Sequence, residues 1–205
     1  MTLWAVVPVK PLSRSKSRLS QVLGVKERQA LSASLLVHTL DSLTRAEGVG
    51  RIAVVSSDAE VRSLAMKWGA VFIEDPPPGG LNQALELARR TVLSHQACQL
   101  LVLPADLPRL TSEAIVNLVS LAEGAPSAVL APDRHGSGTN ALLLSPPGLI
   151  EYAFGPLSFM RHLQLAEAAG VQPQICRSPE FTLDLDLPED LRLLAESSAD
   201  GVPEV

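Results

Sequence analysis

Four basic side chains crowd a short segment near the start of the chain, directly after an apolar run. The segment VPVKPLSRSKSRLS begins at Val7, and its four cations fall within nine residues: Lys10, Arg14, Lys16 and Arg18. Lysine and arginine form strong, charge-assisted hydrogen bonds to phosphate oxygens. The spacing therefore predicts a loop that binds a polyphosphate, with a solvated basic turn as the alternative.

Carboxylates that could hold a metal ion occur in two later segments. Asp106 lies between two prolines in LLVLPADLPRL, directly after an apolar run, and Asp184 and Asp186 alternate with leucines in FTLDLDLPEDL. Mg²⁺ prefers oxygen ligands, usually one or two carboxylates together with substrate phosphates. We therefore predict that Asp106, Asp184 and Asp186 form a metal site.

The two aspartates of FTLDLDLPEDL also indicate a local structure. In a strand, Asp184 and Asp186 would point to the same face, where they would repel each other unless a cation or a basic group lay between them. Their pairing with Asp106 and the upstream basic loop favours a metal site over a solvent-facing edge strand. For Asp106, the alternative is an ordinary residue of a proline-bounded turn.

Uncharged polar residues could recognise the rest of a nucleotide. Ser57 and Asp58 follow the apolar run RIAVVS. In GGLNQAL the two glycines would let the backbone approach a ligand closely. Asn82 of that segment can donate and accept hydrogen bonds, as recognition of a base or ribose requires. The alternative is an asparagine cap on the following helix.

A second, smaller phosphate site is predicted from two segments near the middle of the chain, DRHGSGTNALLL and EYAFGPLSFMRH. Thr139 has a hydroxyl and an amide just before a predicted strand. Ser158 is predicted at the N-terminus of a helix, where backbone N–H groups favour an anion. Thr139, Gly155 and Ser158 could therefore hold a phosphate, with an ordinary serine N-cap as the alternative.

Other familiar site patterns are excluded. The chain has no G-x-x-x-x-G-K-[ST] segment, and the glycine-rich GSGTNA leads into a predicted strand and not into the helix that a dinucleotide site requires. The four histidines lie in unrelated contexts and form no Ser-His-Asp arrangement: His38, His95, His135 and His162. They are interpreted as structural or exposed residues.

Strand-like and helix-like segments alternate along the chain and must position these residues. Apolar, β-rich runs predict strands at 3–9, 51–56, 70–73, 99–103, 128–131, 140–145 and 174–176. Helical spacing and capping residues predict helices at 26–46, 59–68, 81–94, 111–123, 158–169 and 188–197.

This alternation predicts the α/β class, as a single-domain three-layer α/β/α sandwich with a mostly parallel (mixed) sheet. The domain is expected to span residues 1–197, followed by a flexible tail at 198–205. Ligands of such sheets bind outside the carboxyl ends of the strands, where the basic loop, Ser57, Asp58 and Asp106 would all lie.

Composition narrows the class of protein. Of 205 residues, 46% are apolar and only 3% aromatic, which indicates a full aliphatic core and permits a homodimer. A net charge of −5 argues against a nucleic-acid partner. Two cysteines without metal-ligand spacing, the absence of a leader-like start and the absence of a long apolar run indicate a cytoplasmic protein with no membrane span.

The ordered set of segments resembles one enzyme family. PVKPL, SKSRL, VVSSD, GLNQAL, LPADLP, GSGTNALLL, FGPLSF and LDLDLPEDL, together spanning about residues 3–194, are similar to the guanylyltransferases that make the deazaflavin coenzyme F-420. These are 2-phospho-L-lactate or phosphoenolpyruvate guanylyltransferases, within a wider nucleotidyltransferase group that has the nucleotide-diphospho-sugar-transferase-like fold. That group often opens with a glycine-rich loop, whereas this chain has no glycine before Gly24, which favours the phospho-acid branch.

The resemblance implies transfer of GMP from GTP to a phosphorylated three-carbon acid, with Mg²⁺ as cofactor and pyrophosphate as product. It implies metal binding by Asp106 and by Asp184 or Asp186. It implies that the acceptor binds Thr139, Gly155 and Ser158. In this interpretation Lys10, Arg18 and Asp106 are catalytic, and the nucleotide contacts are Lys10, Arg14, Lys16, Arg18, Ser57, Asp58 and Asn82.

Three alternatives remain open at this point. One is a nucleotidyltransferase for a sugar phosphate or molybdopterin, and another is a non-catalytic module that binds a nucleotide or phosphometabolite. The third is a metal-dependent glycosyltransferase, which would leave the basic loop without a function. The sequence does not separate phosphoenolpyruvate from 2-phospholactate or 3-phosphoglycerate, nor GTP from ATP.

Overall fold

The computed structural model describes residues 2–75 and 79–199, and within this part of the chain the strands form one sheet. They are β1 (Leu3–Pro8), β2 (Val49–Ser56), β3 (Val71–Glu74), β4 (Gln99–Val102), β5 (Ser127–Pro132), β6 (Thr139–Ser145) and β7 (Gln174–Ile175). Their order is β3-β2-β1-β4-β6-β5-β7, and β6 runs antiparallel to both of its neighbours while the other pairs are parallel. The predicted mostly parallel, mixed sheet is confirmed.

Helices cover both faces of this sheet. They are α1 (Val25–Arg45), α2 (Ala59–Lys67), α3 (Leu81–Ser94), α4 (Ser112–Ser120), α5 (Ser158–Ala168) and α6 (Pro188–Ala199). Successive strand side chains point to opposite faces, so Leu3 of β1 packs in one apolar core with Leu36 of α1, and Trp4 packs in the other with Leu85 of α3. Two cores on either side of one sheet give the predicted three-layer sandwich.

Capping residues set several of the element boundaries. Asp58 accepts hydrogen bonds from the backbone N–H groups of Glu60 and Val61 at the start of α2, and Thr111 accepts one from Ala114 N at the start of α4. Two of the alternatives raised for polar residues are wrong. Gly80, and not Asn82, is the N-cap of α3, and Leu157, in a left-handed conformation, is the N-cap of α5 in place of Ser158.

The strand considered for FTLDLDLPEDL is not formed. A single 3₁₀ turn (Pro179–Phe181) precedes an irregular segment over residues 182–187. Leu183 and Leu185 are buried, which accounts for the alternating pattern. β4 already pairs with β1 on one side and β6 on the other, so this segment cannot pair with it as a strand. Instead, Leu185 N donates one hydrogen bond to Asp106 O, after the end of β4, at 3.0 Å.

The C-terminal boundary was predicted at residue 197. In the structure α6 continues through Ala199, and residues 200–205 of the predicted tail lie outside the described residues. Among the described helices, none combines the length and apolar character needed to cross a membrane.

Candidate functional site

A cavity of about 470 Å³ opens at the carboxyl edge of the parallel strands. The loop after β1, the start of α3 and the residues that follow β4 form most of its wall. Lys10, Arg14, Lys16 and Asp106 line it together with Asp186, which comes from the segment before α6. The fold thus brings the predicted basic loop and two of the predicted carboxylates to one cavity.

The basic loop is anchored to the rest of the protein by buried side chains and a backbone hydrogen bond. Its two short 3₁₀ turns (Leu12–Arg14 and Ser17–Gln21) bury Leu12 and Leu19 in the protein interior. Leu12 N donates a hydrogen bond to Asp58 Oδ2 at 2.8 Å. These anchors fix the backbone, so the exposed side chains of Lys10 and Arg14 are held at the cavity.

Lys16 lies between the two carboxylates. Its Nζ is 3.0 Å from Asp106 Oδ2 and 3.0 Å from Asp186 Oδ1, and its side chain is only 7% exposed. Burial alone would lower the pKa of Lys16, but the charges of Asp106 and Asp186 outweigh it and the pKa is raised. The ammonium is therefore a permanent cation that balances the two carboxylates.

Arg18 contributes at the rim of the same cluster. Its Nη1 is 3.8 Å from Asp186 Oδ2, and its side chain is largely exposed. An exposed pair of this kind adds little stability, so the guanidinium remains available to an anionic ligand. The structure thus divides the four predicted cations into one buried ammonium and three exposed groups.

The carboxylates fit a divalent cation that arrives with a phosphate ligand. Asp106 Oδ1 is buried and has no hydrogen-bond partner among the described residues. Burial, followed by the charges of Asp106 and Asp186, raises the pKa of Asp184. In the described part of the chain, no three acidic, imidazole or thiol side chains converge tightly enough to hold a metal unaided. That arrangement suits Mg²⁺, which takes one or two carboxylates and completes its shell with water and substrate phosphates.

Several predicted nucleotide contacts have structural partners. Asp58 uses one carboxylate oxygen to cap α2 and the other to hold Leu12 of the basic loop. Asn82 is engaged on both sides of its amide: Oδ1 accepts from Phe154 N at 2.9 Å, and Nδ2 donates to Phe154 O at 3.1 Å. Ser57 is exposed and lines the cavity. The nucleotide roles of Ser57, Asp58 and Asn82 stay predictions.

The predicted acceptor residues lie on the far side of β4 from the basic loop. Thr139 begins β6, whose antiparallel pairing with β4 places it at the edge of the sheet that carries Asp106. Gly155 has φ +122°, a conformation that favours glycine, and Ser158 is buried at the first turn of α5. None of the three is among the described residues that line the large cavity. Their role stays a prediction.

Asp190 and Arg134 support the segment that carries Asp186, a role that the sequence analysis did not predict for either residue. Asp190 Oδ2 accepts hydrogen bonds from Asp186 N at 2.8 Å and from Leu187 N at 2.6 Å. Asp190 Oδ1 lies 2.8 Å from Arg134 Nη1, and the Asp190 side chain is 4% exposed. An acidic residue in the first turn of a helix was the one available signal. It could not reveal a partner 56 residues away.

Replacing Asp190 with alanine is expected to lower the free energy of unfolding by about 3 kcal/mol, because it leaves two backbone N–H groups without an acceptor and removes the buried carboxylate beside the Arg134 guanidinium. Chemical denaturation measures the loss. The matched control is Glu189→Ala, since Glu189 is 67% exposed and 3.4 Å from Arg134, and should change the unfolding free energy by less than about 1 kcal/mol. Equal losses in the two variants would show that the Asp190 contacts are not important.

His162 is one of the four histidines interpreted from the sequence as structural or exposed. It lies on α5 and is fully buried. Its Nδ1 is 3.0 Å from Thr139 Oγ1, and its Nε2 accepts a hydrogen bond from Ala153 N at 3.0 Å. Burial and then the nearby charge of Arg161 lower the pKa of His162 to about 4. The imidazole is therefore neutral at physiological pH.

Comparisons with known proteins place the chain in a family. A family model described as "Guanylyl transferase CofC like" matches residues 3–198. The chain is 44% identical over 197 residues to the phosphoenolpyruvate guanylyltransferase of Rubrobacter xylanophilus, covering 96% of this chain and 95% of the relative. It is 34% identical over 191 residues to the 3-phospho-D-glycerate guanylyltransferase of Colwellia psychrerythraea, covering 93% and 90%.

A solved structure extends the likeness to the fold. A nucleotidyl transferase from Methanothermobacter thermautotroptrophicus superposes with a TM-score of 0.67 at 15% identity, covering 98% of this chain and 99% of that chain. At this identity the likeness concerns the fold alone, and it agrees with the predicted three-layer architecture.

Proposed function

Because this chain belongs to the CofC-like guanylyl transferase family and is a guanylyltransferase, we propose that it transfers GMP from GTP to phosphoenolpyruvate and releases pyrophosphate, in coenzyme F-420 biosynthesis. The 44% identity to a phosphoenolpyruvate guanylyltransferase supports that acceptor. A relative named for 3-phospho-D-glycerate makes this acid the second candidate. 2-Phospho-L-lactate is the third, since all of these acids share one phosphate and one carboxylate.

The chemistry requires no general base. The second pKa of a phosphate monoester is about 6, so the acceptor phosphate is already anionic at neutral pH. One of its oxygens attacks the α-phosphorus of GTP, a new P–O bond forms, and the bond to the β-phosphate oxygen breaks as pyrophosphate leaves. Positioning and charge neutralisation are then the tasks left to the protein.

The charges of the basic loop fit these tasks. Lys10 and Arg14 line the cavity with exposed cationic groups and are assigned to the triphosphate, with Arg18 at the rim. The observation that carries the proposal is the buried Lys16 ammonium between Asp106 and Asp186, because it joins the cationic loop to the acidic cluster in one cavity.

Asp106 is assigned as a ligand of Mg²⁺, with Asp186 or Asp184 as the second carboxylate. When bound, Mg²⁺ would neutralise charge on the phosphate oxygens. The unpartnered, buried Oδ1 of Asp106 supports this assignment. On the other side of β4, Thr139, Gly155 and Ser158 are assigned to the phosphorylated acid.

The remaining expectations concern the surroundings of the enzyme. We infer that it acts on small molecules in the cytoplasm without a nucleic-acid partner, consistent with its net charge of −5. The aliphatic composition of the chain is compatible with a homodimer.

The function is tested by pyrophosphate release from the purified protein with MgCl₂ and either GTP or ATP. The acceptors are phosphoenolpyruvate, 2-phospho-L-lactate, 3-phospho-D-glycerate and, as a control for the wider group, a sugar 1-phosphate. We expect the fastest release with GTP and phosphoenolpyruvate. Release with the sugar phosphate alone, or none above the acceptor-free rate, would contradict the proposal, and nucleotide binding without release would indicate a non-catalytic module.

A further inference from the structure

Both ring nitrogens of the buried His162 form hydrogen bonds within the protein, although the proposed reaction gives this residue no role. A backbone N–H can only donate, so the hydrogen bond from Ala153 N requires an unprotonated Nε2. The neutral ring then carries its proton on Nδ1. Because Nδ1 is 3.0 Å from Thr139 Oγ1, this proton is donated to the threonine hydroxyl.

The Thr139 hydroxyl therefore acts as an acceptor toward His162 and keeps its own proton for another partner. Among the described residues, the Thr139 hydroxyl makes no hydrogen bond other than the one to His162, so its proton has no acceptor within this part of the chain. The phosphate and carboxylate of a phosphorylated acid are rich in acceptor oxygens. Because the hydrogen bond from His162 already orients the Thr139 hydroxyl, this hydroxyl can donate to such a group without reorienting when the ligand binds.

The surroundings hold the imidazole in this orientation. Phe154 packs edge-on against it, with ring centroids 4.8 Å apart and an interplanar angle of 69°. The backbone of Phe154 is in turn held by the Asn82 amide at the start of α3. A continuous set of contacts thus runs from the wall of the nucleotide cavity, through Asn82 and Phe154, to the ring beside Thr139.

We propose that His162 is a positioning residue that fixes the Thr139 hydroxyl as a hydrogen-bond donor to the phosphorylated acceptor. The inference rests on the proposed function, since it assigns Thr139 to the acceptor. The low pKa of the imidazole supports it independently, because a charged ring would present a second N–H to the Ala153 N–H. The role differs from catalysis, as His162 acts only through Thr139.

The first test determines the tautomer of His162 by NMR and does not require the enzyme to be active. A long-range ¹H–¹⁵N spectrum of the histidine rings should show His162 protonated on Nδ1 in the wild-type protein at neutral pH, and the Nδ1 signal should shift in Thr139→Val. A ring protonated on Nε2 would overturn the proposal. This result is independent of the substrate, so an inactive wild type would count against the proposed function alone.

The second test separates positioning from folding by kinetics. His162→Gln keeps an oxygen that can accept from Ala153 N but loses the donor to Thr139, whereas His162→Asn keeps an N–H near the Nδ1 position. We expect His162→Gln and Thr139→Val each to raise the KM for phosphoenolpyruvate by about 10-fold or more, with the KM for GTP unchanged. His162→Asn and Thr139→Ser should retain most of the acceptor affinity.

The double variant decides whether the two residues act together. If His162 acts through Thr139, His162→Gln should raise the KM for phosphoenolpyruvate no further in a Thr139→Val background. Additive effects, equal losses in His162→Gln and His162→Asn, or a parallel rise in the KM for GTP would overturn the positioning role. Denaturation midpoints confirm that the compared variants are folded.

Discussion

Replacing Asp106 with alanine is expected to reduce Mg²⁺- and GTP-dependent pyrophosphate release by about 10³-fold or more while leaving the fold intact. The side chain lies at the cavity, with Oδ2 on the Lys16 ammonium and a buried Oδ1 that has no hydrogen-bond partner among the described residues. Loss of the carboxylate removes the proposed metal ligand. Lys16 keeps Asp186 as its partner, so the loss of unfolding free energy should stay below the roughly 3 kcal/mol expected for a buried charge that is left unpaired.

Steady-state pyrophosphate release at saturating Mg²⁺ and GTP measures this loss, and chemical denaturation reports the stability. Asp106→Asn should be nearly as inactive, because the amide retains the shape but not the charge. The matched control is Asp41→Ala, which removes a partly exposed carboxylate paired with Arg45 on α1 and should leave turnover near that of the wild type. Near-normal turnover in Asp106→Ala would rule out the assigned role.

Replacing Lys16 with methionine is expected to lower turnover by about 10²-fold or more. Methionine fills a similar volume but leaves Asp106 and Asp186 without the cation that lies 3.0 Å from each. The variant also loses a cation that lines the cavity proposed to bind the triphosphate. It should be less stable than the wild type in the absence of Mg²⁺, because two carboxylates then repel each other in a partly buried site.

The effect of Mg²⁺ on the Tm measures this repulsion independently of enzyme activity. When the ammonium is missing, a divalent cation is the remaining means of neutralising the pair, so Mg²⁺ should raise the Tm of Lys16→Met more than that of the wild type. Lys26→Met, at the exposed start of α1, is the control and should behave like the wild type. An equal Tm rise in all three proteins would show that Lys16 does not balance these carboxylates.

Hydrophobic patterning was sufficient for most of the fold. Apolar runs such as LWAVVP, followed by helical spacing in α1, predicted the alternation of strands and helices because burial on both faces of a parallel sheet imposes that pattern. Capping residues located the starts of α2 and α4. The pattern failed at FTLDLDLPEDL, where buried leucines alternate with aspartates without a neighbouring strand.

By itself, the sequence determined which groups could perform chemistry: a cluster of cations after the first strand, and aspartates after later ones, at the edge where parallel strands end. Their contact partners became evident from the folded chain. It places Lys16 between carboxylates 90 and 170 residues away, gives the Asn82 amide to the backbone of Phe154, and sets His162 against Thr139. The reason is physical: local patterns report burial and backbone conformation, whereas the partner of a polar group depends on which distant segments the folded chain brings within hydrogen-bond distance.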